Sequence, residues 1–231
     1  MLICGFQKMT LLDFPGHVAC TLFTGGCNLR CPFCHNALLV TEVDDVEEYS
    51  EDYILSYLKK RQGILDGVAI TGGEPLIQKD IRAFILKVRA LGYPVKLDTN
   101  GTRPELLKEL VSEGLVDYVA VDIKNSKERY AETAGMPALD LSPIEETVSF
   151  LLRGTVPYEF RTTVVREYHT IEDIGKIGQW IRGADRYFLQ KFVDSGSLIG
   201  ENMSEVSKSE MIAMQKEAEK YVKYVAIRGV D

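Results

Sequence analysis

Cys27-Asn-Leu-Arg-Cys31-Pro-Phe-Cys34 puts three thiols inside eight residues. Thiolates are soft ligands suited to zinc and to iron–sulfur clusters, and a loop that wraps round a centre can bring all three to it. Three cysteines are one short of a closed tetrahedral zinc site. On a four-iron cubane they would leave one iron without a protein ligand, a vacancy open to another molecule. His35 would complete a Cys3His zinc knuckle, but it adjoins Cys34 in an awkward chelate geometry, and the chain has no second CxxC. Unrelated core cysteines are the third reading. Buried structural cysteines do not usually gather at glycine-rich loops, however, and Gly25-Gly26 stands directly before Cys27. Cys20, inside an apolar run, reads as a small core hydrophobe, and Cys4 is given no role.

The rest of the chain bounds what such a centre could serve. It has 231 residues, 45% hydrophobic and 26% charged, with 27 Lys+Arg against 34 Asp+Glu for a net charge of −7. That is ordinary globular composition, and at this length the fold needs no disulfide or metal to hold together. The acidic balance excludes a non-specific grip on nucleic acid, which needs a basic face. No apolar run approaches the ~20 residues of a membrane span. The N-terminal Met1-Leu2-Ile3-Cys4 lacks a signal-peptide pattern, so no secretion is expected. An odd cysteine count with three in one cluster is a poor disulfide framework and points to a reducing, cytoplasmic compartment.

The elements that would carry these residues alternate. Apolar or β-branched runs fall at Val18–Thr24, Gly67–Thr71, Pro94–Thr99, Asp117–Ile123, Tyr158–Val165 and Tyr187–Phe192. Between them lie helical periodicities such as Ile81/Phe84/Ile85/Val88 and Ile174/Ile177/Ile181. A last helix carries Met211, Met214 and Ala218 as a core stripe. Thr102–Glu105, Ser142–Glu145, Thr170–Asp173 and Ser207–Glu210 read as capping boxes. Six strand–helix units imply parallel strands with right-handed crossovers, in an α/β fold that is either a partial barrel or a doubly wound sheet. No Pro/Gly/Ser-rich linker divides the chain, so residues 1–231 are expected to form one domain. Its core would run over about 14–195, with an N-terminal extension at 1–13, perhaps a short hairpin within Ile3–Asp13, and a C-terminal helix and edge strand, Val225–Arg228, within 205–231.

Ligands of α/β folds sit at the carboxyl ends of the strands, and the unusual polar residues recur there. Gly25-Gly26-Cys27, Gly72-Gly73-Glu74-Pro75, Asp98-Thr99-Asn100-Gly101, Asp122-Ile123-Lys124 and Gln190-Lys191 each follow or close a strand. Any one could be a turn or a helix cap; together they imply a shared site.

Cys27, Cys31 and Cys34, with aromatic Phe33 before the last cysteine and Gly72-Gly73-Glu74 closing the next strand, resemble the radical S-adenosylmethionine (radical SAM) superfamily over roughly Lys8 to Phe192. That resemblance selects the partial (β/α)6 TIM-like barrel. Lys8-Met-Thr-Leu-Leu-Asp13-Phe-Pro15-Gly16, Cys34-His35-Asn36, Asp98-Thr99-Asn100-Gly101 and Asp122-Ile-Lys124 are similar to the glycyl-radical-enzyme activases, most of all to the activating proteins of anaerobic ribonucleoside-triphosphate reductase. It implies that Cys27, Cys31 and Cys34 hold three irons of one [4Fe-4S] cluster, whose fourth iron chelates S-adenosylmethionine. Reductive cleavage to methionine and a 5′-deoxyadenosyl radical would then take a hydrogen atom from a partner enzyme's glycine. By the same resemblance Gly72, Gly73 and Glu74 receive the ligand's ammonium, with Glu74 alternatively, or in part, an N-cap-region carboxylate of the next helix. Asp98, Thr99 and Asp122 lie near its methionine group or a monovalent cation. Lys124 neutralises its carboxylate, although an Asp122–Lys124 ion pair without ligand contact weighs about equally. Asn36 donates near the cluster, and Phe33 shields the adenine. A histidine that some activases carry at the sixth strand's end is absent, which leaves Gln190 or Lys191 in its place. A flavodoxin- or ferredoxin-like protein would supply electrons. His169 reads as a loop or capping residue, and Arg161 as a structural arginine or part of a partner-binding groove. A radical SAM enzyme for a small molecule or peptide, an activase of another glycyl-radical enzyme such as a pyruvate formate-lyase relative, and a zinc-binding interaction module are the alternatives.

Overall fold

A computed structural model describes residues 1–194 and 196–229; the notional core limit at 195 and the last two residues of the 205–231 segment lie outside these. Eight strands form one sheet in the order β1-β2-β3-β4-β5-β6-β7-β8. β1 is Ile3–Thr10, β2 Ala19–Thr24, β3 Gly67–Gly72, β4 Val95–Thr99, β5 Tyr118–Asp122, β6 Tyr158–Val164, β7 Tyr187–Lys191 and β8 Val225–Arg228. From β2 onward every neighbouring pair is parallel. The strand order never reverses. A doubly wound sheet requires a reversal, whereas a sheet that advances one strand at a time keeps its crossover helices on one face and curls into a barrel. Among the described residues the order ends at β1 and β8 with no pairing between them, so the barrel is partial and open.

The main connecting helices follow the apolar spacing. α1 is Leu38–Thr41, α2 Glu51–Lys60, α3 Ile81–Ala90, α4 Pro104–Ser112, α5 Tyr130–Thr133, α6 Ser142–Leu151, α7 Ile171–Trp180 and α8 Lys208–Ala218. Ile54 and Leu58, Phe84 and Val88, Leu107 and Leu110, and Ile174 and Ile177 are fully buried against the sheet's outer face. Met211 and Met214 are core residues, as expected. Among the described residues no helix is long and apolar enough to cross a membrane.

Three local readings change. Ile3–Thr10 is not a self-contained hairpin but an edge strand antiparallel to β2, pairing from Thr24 back to Ala19 with two register shifts. The capping boxes form at Thr170–Asp173 and Ser207–Glu210, but not at the other two positions. Thr102 is drawn away: its hydroxyl donates to Asn100 Oδ1 at 2.6 Å and accepts from Asn28 Nδ2 at 2.8 Å. Ser142 already lies inside α6, behind Leu141. A cap that carries no glutamate at its fourth position, and so lacks the box pattern, is Ser50, whose side chain accepts from the Tyr53 amide. Ser50→Ala should cost about 1 kcal/mol and lower the thermal midpoint by about 2–4 °C, read by calorimetry or circular dichroism.

Candidate active site

A cavity of about 250 Å³ opens at the carboxyl ends of the parallel strands, and its wall includes Cys27, Cys31, Phe33, Cys34, Asn36, Gly72, Gly73, Asp98, Thr99, Asp122, Lys124 and Gln190. The residues drawn from distant parts of the sequence therefore meet in one place. Glu74 does not line the cavity. Lys191 turns outward to Glu205 at 2.7 Å, so of the two candidates on β7 it is Gln190 that faces inward.

The cysteine loop leaves β2 through Gly25-Gly26 and is held by backbone contacts. Gly26 N donates to Leu39 O at 2.7 Å, and Arg30 N to Ala134 O at 3.0 Å. Glu74 N donates to the Gly26 carbonyl at 2.8 Å and Gly73 N to the Thr24 carbonyl at 2.8 Å. A Cβ on Gly73 would stand 1.9 Å from Gly26 O, and one on Gly135 would stand 2.0 Å from Arg30 O. These glycines admit the chain's own backbone, so Gly73 serves the cysteine loop whatever it does for a ligand. Asn36 Nδ2 donates to the Gly72 carbonyl at 3.0 Å, tying the segment after Cys34 to the same turn.

Glu74 sits behind that turn, completely buried. Its Oε1 accepts from the Leu76 amide at 2.9 Å and the Thr99 hydroxyl at 2.8 Å, and its Oε2 from the Asn100 amide at 2.6 Å. One carboxylate thus joins the turn after β3 to the turn after β4. Burial pushes this carboxyl up to about 7 against the pull of its three donors.

Beside it lies a chain of charges. Lys96 pairs with Asp98, Arg161 bridges Asp98 and Asp122 at 2.9 Å each, and Lys124 meets Asp122 at 3.2 Å. Three cations against two carboxylates leave one positive charge over, next to the thiols. Burial alone would raise both carboxyls. The cations outweigh it, Arg161 foremost, and hold Asp98 below and Asp122 far below the usual range. Lys124 and Arg161 are held well above theirs by Asp122, against the opposing effect of burial. Lys96 and Arg161 were not singled out as site residues, although Lys96, two positions before Asp98 in an apolar strand, must share its face. Asp13, whose carboxylate accepts from Thr21 Oγ1 at 2.6 Å, also reaches the cavity.

Cys27, Cys31 and Cys34 are free thiols that share the cavity wall. Burial pushes Cys31 up to about 12 and raises the other two, so loading a metal centre must displace thiol protons. Among the described residues no three His, Cys, Asp or Glu side chains converge closely enough for a single metal ion. A cluster taking one thiolate per iron fits such a spread donor set better than the tight tetrahedron of zinc. Cys20 is in the core and Cys4 is buried; His35 is exposed, at the cavity edge beside the Phe192 ring.

The model of the radical SAM superfamily matches residues 21–181. The chain belongs to this superfamily. It is therefore an enzyme of the radical SAM type, and membership implies S-adenosylmethionine and a [4Fe-4S] cluster as its cofactors. A candidate glycyl-radical enzyme activating enzyme of Methanocaldococcus jannaschii is 32% identical over 240 residues, covering 100% of this chain and 97% of that protein. A probable GTP 3′,8-cyclase of Thermococcus kodakarensis is 33% identical over 150 residues, 62% of this chain and 46% of the cyclase. The crystal structure of Streptococcus suis SuiB bound to S-adenosylmethionine shares the fold, with a TM-score of 0.68 at 14% identity over 88% of this chain and 48% of that one. This chain thus spans about half the length of SuiB and of the cyclase.

Within this radical SAM site the Glu74 carboxyl binds its proton more tightly folded than unfolded, with about 7 against an ordinary 4.5. Its stabilising contribution is therefore full below pH 4.5 and lost as the pH rises through 7. Urea midpoints should fall over that window in the native protein, and Glu74→Gln should flatten the slope.

Proposed function

We propose that this radical SAM enzyme is a glycyl-radical-enzyme activase, acting on a glycine loop of a partner protein, with anaerobic ribonucleoside-triphosphate reductase as the first partner to test. The observation that carries the reading is the end-to-end similarity to the M. jannaschii protein, at 32% identity over 100% of this chain. The cluster, when bound and reduced, supplies the electron that splits S-adenosylmethionine into methionine and the 5′-deoxyadenosyl radical that abstracts the glycine hydrogen.

The chain's own part is binding and electrostatics. Cys27, Cys31 and Cys34 would hold three irons and leave the fourth to the ligand. The positive excess of the Lys96–Asp98–Arg161–Asp122–Lys124 network suits an anionic group; of the two cations in the cavity wall Arg161 is committed to two carboxylates, which leaves Lys124 for the ligand's carboxylate. The turn at Gly72 and Gly73, in the cavity wall, would receive its ammonium, with Glu74 acting from behind by holding the turn. Phe33 supplies an apolar wall for the adenine, and Asn36 and Gln190 supply amides. Asp98, Thr99 and Asp122 offer the hard oxygens a monovalent cation takes, although Arg161 already bridges the two carboxylates. Residues 1–231 would work as one unit, in a reducing cytoplasm that keeps the thiols free, with a flavodoxin- or ferredoxin-like donor.

The partial similarity to a GTP cyclase supports a second reading, a radical SAM enzyme for a small molecule or peptide. Reduced, reconstituted protein should release 5′-deoxyadenosine from S-adenosylmethionine, and addition of the reductase should give a glycyl doublet by electron paramagnetic resonance. Cleavage without that doublet for any glycyl-radical enzyme favours the second reading. Cys31→Ala should lose most of its iron and sulfide and lower cleavage by at least about a hundredfold; unchanged cleavage would sink the cluster assignment. Ligand affinity in potassium against choline buffer tests the cation: tightening in potassium supports it, and equal affinity removes it.

A further inference from the structure

Lys124 lies two residues beyond the end of β5, one past the last ladder contact, in which Ile123 N donates to Arg161 O at 2.8 Å. Its carbonyl accepts a hydrogen bond from His169 Nε2 at 2.8 Å. The other ring nitrogen, Nδ1, accepts from the Val165 amide at 3.1 Å, which assigns the proton to Nε2. His169 is 3% exposed and does not line the cavity. Burial lowers its basicity and keeps the ring neutral, the form in which one nitrogen donates and the other accepts. The turn that carries it is itself anchored to the loop after β5. Asn125 Nδ2 and Arg129 Nη1 both donate to the Tyr168 carbonyl, at 2.9 and 2.6 Å. The same ring stands edge-on to Phe33 at 6.2 Å, between Cys31 and Cys34. Of the three cations in the network, Arg161 is committed to two carboxylates and Lys96 is 2% exposed. Lys124 is in the cavity wall with a single bond to Asp122.

We propose that His169 is a positioning residue for Lys124: by holding the Lys124 carbonyl it aims the ammonium at the carboxylate of S-adenosylmethionine, without touching the ligand. The inference rests on the reading that Lys124 takes that carboxylate, and the experiment separates the two. Reconstituted holoprotein is titrated with S-adenosylmethionine and with its decarboxylated analogue, and the preference for the former is measured in each variant. Loss of a charge-assisted hydrogen bond should cut that preference about tenfold or more in Lys124→Met. His169→Leu should cut it severalfold. The double variant should match Lys124→Met within about twofold, because the histidine acts through the lysine. His169→Gln, which can carry an N–H to the position of Nε2, should keep the preference. His169→Asn, whose amide reaches Val165 but not Lys124, should lose it; this variant carries the test if His169→Leu does not fold by circular dichroism. A His169→Asn protein that keeps full preference while Lys124→Met loses it overturns the positioning role, as does an additive double variant. Full preference in Lys124→Met instead overturns the lysine reading.

Discussion

The Arg161 guanidinium between Asp98 and Asp122 is the contact on which the rest of the site depends. The parallel register of β5 and β6 sets Asp122 directly beside Arg161, and Asp98 reaches it from β4, one strand further round. Two buried carboxylates facing the same cavity would each favour the protonated form. A cation between them keeps both ionised. Taking five charged groups out of water is costly, so the network is weak evidence of stability. Its consequence is electrostatic: the network holds one more cation than carboxylate, and Lys124, in the cavity wall with the three thiols, is where an anionic ligand group can reach it.

The cysteine loop is held in a different way. Its neighbours touch it with backbone, at Gly73 against Gly26 and at Gly135 against Arg30, and with the Gly200 amide on the Pro32 carbonyl. Backbone contacts leave the side chains of the loop free to face the cavity. Glu74 supports the same arrangement from behind, joining two turns through three hydrogen bonds. The site is thus layered: thiols, Lys124 and Arg161 at the wall, Glu74 supporting the turn behind them, and His169 reaching Lys124 from outside.

Much of this was legible in the residues alone. The six central strands fall within a residue or two of their apolar runs, because a strand buried on both faces is apolar almost throughout. The edge strand Val225–Arg228 and two capping boxes were equally readable, since both depend on local pattern. The other two boxes were not: the Thr102 hydroxyl is taken by Asn100, two residues back, and by Asn28 from across the site, and Ser142 already lies inside α6. Glu74 was readable as a residue at a strand end and as a cap of the next helical turn, where it accepts from the Leu76 amide, but not as one tied to the next strand. A carboxylate's direction is decided by the donors around it, here Thr99 and Asn100 from the next strand.

The sequence by itself determined the donor set, the spacing of its three thiols and the alternation of strands and helices, because each is a property of short segments with their own periodicity or chelate reach. Tertiary structure alone decided that Arg161 lies between Asp98 and Asp122, 63 and 39 residues away, and that His169 holds the carbonyl of Lys124, 45 residues away. These contacts follow from the strand register and the packing of loops at the open end of the barrel. The i,i+2 pairs Lys96–Asp98 and Asp122–Lys124 are local, but nothing local in the chain encodes the longer-range meetings, because those depend on which strand ends the whole sheet brings together.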